Sequence, residues 1–301
     1  MAFRLKHRRH LNRQVARVVA RELESAVAAI KAAPLRSARS VHTVRKHLKK
    51  ARAIVRMLEQ ELGRDFEALS GRLRGAAHRL SAFRDADVCL ETLDALRGRY
   101  PRVLTPAVAG SVHRALEAHR RRARSRLEHA LPAVLSTLRA SAKPIARLVR
   151  QAADAEAVRE GMDRGYRRAR KAMEALGTTT LAGEPGDGGD AACHRWRRRV
   201  KDHWYQMRLL EGLDAHVGSR VRALKRLETW LGDHHNLVVL DDLVQRSPSR
   251  FGPGPAIAAV LGCIDRRKAA LERRFRDRGT SLFESRPAPF RKLIDRWWNA
   301  G

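Results

Sequence analysis

A basic helical segment occurs twice in this chain, about half a chain length apart. The first copy is VHTVRKHLKKARAIVRML at 41–58, and the second is CHRWRRRVKDHWYQMRLL at 193–210. A duplicated cationic face suggests that one anionic ligand is held between two halves of the protein. The cationic positions of the two copies align without a gap, pairing His42 with His194, Arg45 with Arg197, Lys46 with Arg198, Lys49 with Lys201 and Arg56 with Arg208.

The repeat continues beyond these two segments. LSAFRDADV at 80–88 resembles LGDHHNLVV at 231–239, and the same alignment pairs Arg74 with Lys225. We therefore expect two homologous halves, about 1–150 and about 151–301, each a bundle of about four helices. The segment GTTTLAGEPGDGG at 177–189 is predicted to be a surface linker, because glycine-rich stretches interrupt helices.

The residue pattern predicts an all-α fold. Ala, Leu, Arg and Glu, which are good helix formers, dominate the chain, and alternating β-branched runs are nearly absent. Breaks between helices are expected at 34–40, 98–106, 247–255 and 279–289. The clearest apolar helical stripe has three-and-four spacing and consists of Val41, Val44, Leu48, Ala51, Val55 and Leu58.

The charge balance indicates a polyanionic partner. The chain has 63 Lys and Arg against 32 Asp and Glu, a formal net charge of +31. Self-repulsion of this size opposes compaction, and an anionic partner would offset it. The 44% hydrophobic content is that of a folded protein. Three scattered cysteines predict no disulfide framework, which fits a reducing cytoplasm. Neither a secretory signal nor a membrane-spanning segment is expected from the sequence.

The cationic positions form a row beside the apolar stripe. In the first copy they are His42, Arg45, Lys49, Arg52 and Arg56, with Lys46 at the flank. Such a row is about 21 Å long at the rise of an α-helix. The apolar stripe starts one position earlier, a rotation of about 100°, so the row should face a groove between bundles. In the second copy the same row contains His194, Arg197, Arg198, Lys201, Trp204 and Arg208.

Residues of these types suit phosphate. Arginine can hold phosphate oxygens bidentately, lysine adds mobile charge, and phosphate favours protonated histidine. Few carboxylates lie within the two segments to neutralise them: only Asp202, in the second. A solvated basic face is the competing interpretation. His42 and His194 could also be core or capping histidines, and Trp204 and Tyr205 could be core aromatics.

These segments resemble the signatures of the CHAD family, the conserved-histidine α-helical domain. The first segment resembles that family's first motif, the HRWRRRVKDHWYQMRLL stretch with LGDHHNLVVL resembles its second-half signature, and RDADV resembles a motif near the end of its first half. The motifs occur in the family's order, and the resemblance spans about residues 3 to 298. It implies a single CHAD domain over 1–301.

The resemblance implies two four-helix bundles with pseudo-two-fold symmetry and inorganic polyphosphate bound in a basic channel between them. It assigns ligand binding to the matched cationic positions of both copies. We add Arg52 to this set because it lies in the same row of the first copy. It implies no cofactor and no metal. Weaker assignments fall on Arg17, Arg21, Arg74 and Lys225.

An enzymatic function has less support. The chain has no GxxxxGK[ST] phosphate loop. Asp85 and Asp87 could be metal ligands but are better explained as caps or partners of Arg84. The adjacent histidines of His234-His235-Asn236 diverge by about 100° on a helix, which disfavours shared ligation and favours a structural or phosphate-contacting role. A zinc site at Cys193, His194 and His203 would lack standard spacing. Noncatalytic binding is therefore predicted, with a phosphohydrolase less favoured.

The main rival is nonspecific binding of DNA or RNA, for which a net charge of +31 would suffice. No helix-turn-helix, zinc-finger or aromatic RNA-binding motif is apparent. Nucleic acid is therefore expected only as a nonspecific competitor of polyphosphate. The run RRRARSR at 120–126 looks like exposed helix surface and fits either ligand. A cytoplasmic location is expected, with polyphosphate granules as one candidate place of action.

Overall fold

The computed structural model describes residues 3–7, 9–32, 38–181, 187–213 and 215–299. These ranges contain helices and turns and no strand, which confirms the predicted all-α class. The α-helices are α1 (Leu11–Lys31), α2 (Ala38–Met57), α3 (Glu59–Leu62), α4 (Asp65–Arg79), α5 (Ser81–Arg99), α6 (Pro106–Ala152), α7 (Ala155–Leu181), α8 (Asp187–Leu210), α9 (Ala215–Gln245), α10 (Gly254–Phe283) and α11 (Pro287–Asn299), with a 3₁₀ turn at Pro248–Arg250.

The helices pack as two groups. In the first group, α1 packs on α2 and α6, and the successive helices α4 and α5 also pack on α6. In the second, α7 packs on α8, α8 on α9, and α9 on α10, while α11 covers α7. The groups meet where α2 lies against α8 and α5 lies against α9. A pseudo-two-fold relation between them stays a prediction.

A short turn separates the two groups. α6 ends at Ala152 and α7 begins at Ala155, close to the expected division at 150. The Asp154 carboxylate caps α7 by accepting from the Ala157 N–H at 2.8 Å, which satisfies one of the free donors at a helix start. This cap fixes the point at which the chain enters the second group.

The helix boundaries differ from two of the expected breaks. The predicted linker at 177–189 is narrower than expected: 177–181 continue α7 and 187–189 begin α8, while 182–186 lie outside the described residues. Within the expected break at 34–40, residues 34–37 also lie outside the described ones. The breaks near 98–106, 247–255 and 279–289 are present, although helical residues extend into each.

The apolar stripe on α2 lies in the core, as its spacing predicted. Each member is at most 1% exposed, from Val41 to Leu58. Burial of such side chains contributes about 25 cal/mol for each Å² of apolar surface removed from water. This burial fixes the rotation of α2 about its axis and therefore the direction in which the adjacent cations point.

No helix among the described residues combines the length and apolar character needed to cross a membrane.

A glycine sets the distance between α7 and α2. A Cβ atom on Gly161 would lie 2.2 Å from the carbonyl oxygen of Met57, a backbone atom that cannot move aside easily. The same carbonyl accepts a hydrogen bond of 3.0 Å from Arg164 Nη2. The close approach of the two helix groups at this point therefore requires a residue without a side chain.

We predict that Gly161→Ala lowers the free energy of unfolding by about 2 kcal/mol, because the added methyl overpacks the contact. The matched control is Gly71→Ala on α4, where an added Cβ meets nothing within 4 Å. This control should raise stability by about 0.5–1 kcal/mol, since glycine is a poor helix former. Urea unfolding followed by circular dichroism measures both changes. Equal effects in the two variants would contradict the packing argument.

Candidate polyanion-binding site

α2 and α8 pack directly against each other. Gln206 Nε2 donates to the Ala53 carbonyl at 3.5 Å, and Arg56 pairs with Asp202. The contact brings cations of the two repeats together, so that Arg45 repels Arg197 and Lys49 repels Lys201. We call these cations the α2–α8 row: His42, Arg45, Lys46, Lys49, Arg52, Arg56, His194, Arg197, Arg198, Lys201 and Arg208.

Several members of the row have no counter-charge in direct contact. Lys49, Arg52, Arg197 and Arg198 form no hydrogen bond or ion pair with any other described residue. The Nε atoms of Arg52 and Arg197 are buried without a partner. Burying donors in this way is costly unless an acceptor is supplied, and the row therefore has capacity for an anionic ligand.

The cost of this arrangement appears in the pKa values. Burial, followed by repulsion from Lys201 and Arg45, holds the pKa of Lys49 well below its usual range. Burial and then the neighbouring Arg56 lower the pKa of Arg52 to about 10. Both shifts mean that the surroundings disfavour the charged form. A bound anion would reverse them.

Three carboxylates neutralise part of the row. Asp202 pairs with Arg56, and both side chains are largely buried. Glu228 on α9 accepts from Lys201 at 2.5 Å and from Lys225 at 2.8 Å. Asp85 on α5 lies close enough to Arg45 to attract it, although burial dominates and raises the pKa of Asp85. The row is thus partly neutralised from α8, α9 and α5.

The two halves of the row are neutralised unequally. In the alignment of the sequence repeats, Glu228 corresponds to Ala77, so Lys49 lacks the carboxylate that its counterpart Lys201 has. In the first half, the Ala77 carbonyl instead accepts from Arg45 Nη1 at 2.7 Å. The surroundings of Lys49 and Lys201 therefore differ between the two repeats.

The histidines of the row have different surroundings. His42 is exposed, although partial burial of its ring and then Arg84 lower its pKa. His194 is half-buried, and its Nδ1 lies 3.2 Å from Nδ1 of His235. Only one of these two nitrogens can carry the shared proton. Burial and then Arg197 lower the pKa of His235 to about 3 and also lower the pKa of His194, which favours the uncharged pair at neutral pH.

Aromatic rings hold the end of the row on α8. The Arg208 guanidinium lies 5.3 Å from the ring centroid of Trp204 and 5.6 Å from that of Phe3. Lys225 Nζ lies 4.8 Å from the Trp204 ring, and Trp204 is itself only 8% exposed. Trp204 and Tyr205 are therefore buried aromatics, and Trp204 orients two cations through cation–π contacts.

The remaining predicted residues lie at different distances from the centre of the row. Lys46 and Arg198 are exposed beside the row. Arg74 is exposed, pairs with Glu67 at 3.7 Å and repels Arg52, so it lies near the row. Arg17 and Arg21 line a separate cavity of about 300 Å³ with the N-terminal segment, and no member of the row lines that cavity.

The residues weighed as metal ligands either contact other groups or, in the case of His203, are buried without a hydrogen-bond partner. Asp87 accepts from Arg84 at 2.6 Å, as expected for partners. His234 contacts Glu272 at 3.0 Å, away from His235 and its partner. His203 is fully buried, and neither of its ring nitrogens has a partner. Across the described ranges, no three His, Cys, Asp or Glu side chains form a group suited to a metal ion.

Sequence reasoning did not assign Glu228, Asp85 or Arg84 to this region, although it favoured a structural or phosphate-contacting role for His234-His235-Asn236. Glu228 follows Lys225 by three residues on α9, a spacing that signals a local ion pair. Its contact with Lys201 on another helix has no local signal. The alignment of 80–88 with 231–239 pairs Arg84 with His235, but nothing in it shows that each lies beside a histidine of the row, His42 for Arg84 and His194 for His235.

The sequence and the fold are similar to those of known proteins. The family model described as CHAD domain matches residues 9–245. The crystal structure of the CHAD domain from the plant Ricinus communis aligns with a TM-score of 0.68 at 18% identity, covering 94% of this chain and 96% of that one. PptA from Streptomyces chartreusis aligns with a TM-score of 0.64 at 18% identity, covering 91% and 99%. No curated protein matches.

The family model covers well over half of the chain, so the protein belongs to the CHAD domain family. This confirms the family expected from the motifs. At 18% identity the two solved structures show the shared fold alone.

We predict that Glu228→Gln lowers the free energy of unfolding at pH 7 by about 3 kcal/mol, because it leaves Lys201 buried without its partner. Burial alone would raise the pKa of Glu228, but Lys201 and Lys225 lower it to about 2. The folded pKa lies below the ordinary value of 4.5, so this stabilisation is complete above pH 4.5 and is lost as the pH falls towards 2.

Urea unfolding of wild type and Glu228→Gln across this pH range measures the effect. The difference in stability should be largest near neutral pH and shrink in acid. Glu24→Gln on α1 is the matched control, because Glu24 is exposed and unpaired among the described residues. A stability difference independent of pH would contradict the ion-pair explanation.

Proposed function

We propose that this protein binds inorganic polyphosphate along the α2–α8 row, without catalysing a reaction on it. The observation that carries the proposal is the set of cations, contributed by both repeats, that face one another with no carboxylate in contact. Lys49, Arg52, Arg197 and Arg198 are its core. A polyanion between them replaces like-charge repulsion with charge-assisted hydrogen bonds.

The shape of the row favours an extended polymer over a small anion. On each helix the row is linear and about 21 Å long. On α2 it has a basic residue at each helical turn, whereas on α8 Trp204 occupies one of these positions. A phosphate chain carries charge at each unit and can contact many turns at once, whereas a single phosphate contacts one. Binding should therefore strengthen with chain length until the row is filled.

The partial burial of the row favours polyphosphate over nucleic acid. The side chains of Arg45, Lys49 and Arg197 are half-buried between helices, so a thin chain can contact them more completely than a duplex. DNA or RNA would be held mainly by the exposed Lys46 and Arg198. We therefore assign nucleic acid the role of a nonspecific competitor.

The proposal contains no chemical step. Of the three carboxylates beside the row, Asp202 is held by Arg56, Glu228 is held by Lys201 and Lys225, and Asp85 lies among Arg45, Lys49 and Arg84. A paired carboxylate is a weak base and would not activate water readily. The protein would act as a polyphosphate-binding component of the cytoplasm, with association with polyphosphate granules as its proposed setting.

We predict that long-chain polyphosphate binds tightly, that monophosphate binds poorly, and that affinity for the long chain falls as salt rises. Calorimetry with inorganic phosphate, triphosphate and long chains measures this series. Arg45→Glu with Arg197→Glu should weaken long-chain binding at least tenfold, since it introduces repulsion at the centre of the row.

A second pair, Lys46→Glu with Arg198→Glu, tests the same row through exposed residues that make no structural contact among the described ones. Arg139→Glu with Arg150→Glu, exposed on α6, produces the same change in net charge elsewhere. An equal loss of long-chain affinity in the Lys46/Arg198 and Arg139/Arg150 variants would show an unspecific charge effect. Equal or stronger binding to duplex DNA than to polyphosphate would also overturn the proposal.

Binding should take up protons at alkaline pH. Burial and then Arg197 lower the pKa of Lys201 to about 8, and the pKa of Lys49 is also depressed. A bound anion favours protonated lysine and raises both pKa values. Linkage therefore requires net proton uptake on binding above about pH 8 and an affinity for polyphosphate that falls as the pH rises further.

Calorimetry at pH 8.5 in two buffers of different ionisation enthalpy measures this uptake. Lys49→Arg with Lys201→Arg keeps the charge but removes the titration, because arginine stays protonated. This variant should bind with less proton uptake. Uptake equal to that of wild type would show that other groups titrate.

A further inference from the structure

A second basic region, which we call the α5–α6–α9 cleft, lies between α5, α6 and the C-terminal part of α9. The cleft is a cavity of about 580 Å³, and Arg250 of the 3₁₀ turn lies at its edge. Cavities of this size hold small molecules in many proteins. Its cationic lining consists of Arg122, Arg126, Arg246 and Arg250, and His119 lies beside them with its pKa lowered by burial and by Arg122.

The arginines of the 120–126 run separate into two sets. Arg120 and Arg121 pair with Glu117, and Arg124 lies 3.6 Å from Glu128. Arg122 and Arg126 have no ion pair with any described residue, and both line the cleft. Residues three or four apart lie on one face of a helix, which places His119, Arg122 and Arg126 along one wall.

The opposite wall adds further positive charge. Arg250 is exposed and unpaired among the described residues, and Arg246 makes only a long, exposed contact of 3.7 Å with Asp242. Asp242 and Asp85 are the acidic residues of the lining, so four arginines face two carboxylates. Asp85 is also attracted by Arg45 and Lys49 of the row.

A neighbouring cavity provides an internal comparison. The α5–α9–α10 cleft has nearly the same volume, about 540 Å³, and also lies along α5 and α9. Its charged lining is balanced, since Arg99 and Arg267 face Glu91 and Asp233. The excess positive charge of the α5–α6–α9 cleft is therefore not a general consequence of the basic composition.

We propose that the α5–α6–α9 cleft binds a compact phosphorylated small molecule that carries a diphosphate or triphosphate group. Arg122, Arg126 and Arg250 would hold the phosphate oxygens, for which guanidinium groups are well shaped. The lining is apolar at Ala86, Val239 and Leu243, which would accommodate an organic group attached to the phosphates. Inorganic triphosphate and a nucleoside triphosphate share this chemistry.

The site is distinct from the α2–α8 row. No residue of the row lines the cleft, and Asp85 lies between the two. The compact shape of the cleft suits a short anion, whereas the linear row suits a polymer. The two sites can therefore be tested separately.

Calorimetry with inorganic triphosphate, ATP and adenosine tests the proposal on the full chain. Arg122→Gln with Arg126→Gln should weaken ATP binding at least tenfold, because two charge-assisted contacts are lost. These side chains are exposed and unpaired among the described residues, so the fold should persist, and circular dichroism checks it. Adenosine alone should not bind. Tighter binding of ATP than of inorganic triphosphate would show that the apolar wall contacts the organic group.

Two control pairs locate the ligand. Arg99→Gln with Arg267→Gln alters the balanced cleft, and Lys46→Gln with Arg198→Gln alters the row. Both should keep ATP affinity within about twofold of wild type, and Arg122→Gln with Arg126→Gln should keep long-chain polyphosphate affinity within about twofold. Undiminished ATP binding in the cleft variant would overturn the proposal. Loss of long-chain binding equal to the loss of ATP binding would make the cleft an extension of the row and overturn a separate site.

Discussion

The packing of α2 against α8 forces like charges together, and much of the surrounding structure responds to this repulsion. The two helices are joined by the hydrogen bond from Gln206 to the Ala53 carbonyl and by the ion pair of Arg56 with Asp202. The same contact places Lys49 beside Lys201. The fold accommodates the repulsion with carboxylates from other helices and by depressing the pKa of the lysines.

This compensation is incomplete, and the proposed binding of an anion rests on that incompleteness. Asp202 and Glu228 are both committed to cations of the row. The position that corresponds to Glu228 in the first repeat is Ala77, so Lys49 stays without a carboxylate. Full neutralisation would leave no electrostatic reason to bind a polyanion. Ala77 in the first repeat thus leaves a cation unpaired, whereas Glu228 in the second repeat pairs with one.

The helical class and the place of the cationic row on each helix could be predicted, because both rest on spacing within one helix. Periodicity placed Val41 to Leu58 in the core and Arg45 and Lys49 beside it. The pairing of Lys201 with Glu228 could not be predicted, since it joins α8 to α9 through their packing. Arg17 and Arg21 show the same limit, because a cationic helix face does not reveal which cavity it lines.

The sequence by itself determined the helical class and the family, because these depend on local periodicity and on motif order. Only the tertiary structure decided which cations are free. In the run at 120–126, Arg120 is paired while Arg122 and Arg126 face a cleft completed by Arg250, far along the chain. Charge is a property of each residue, but its neutralisation depends on which distant side chains folding brings within contact distance.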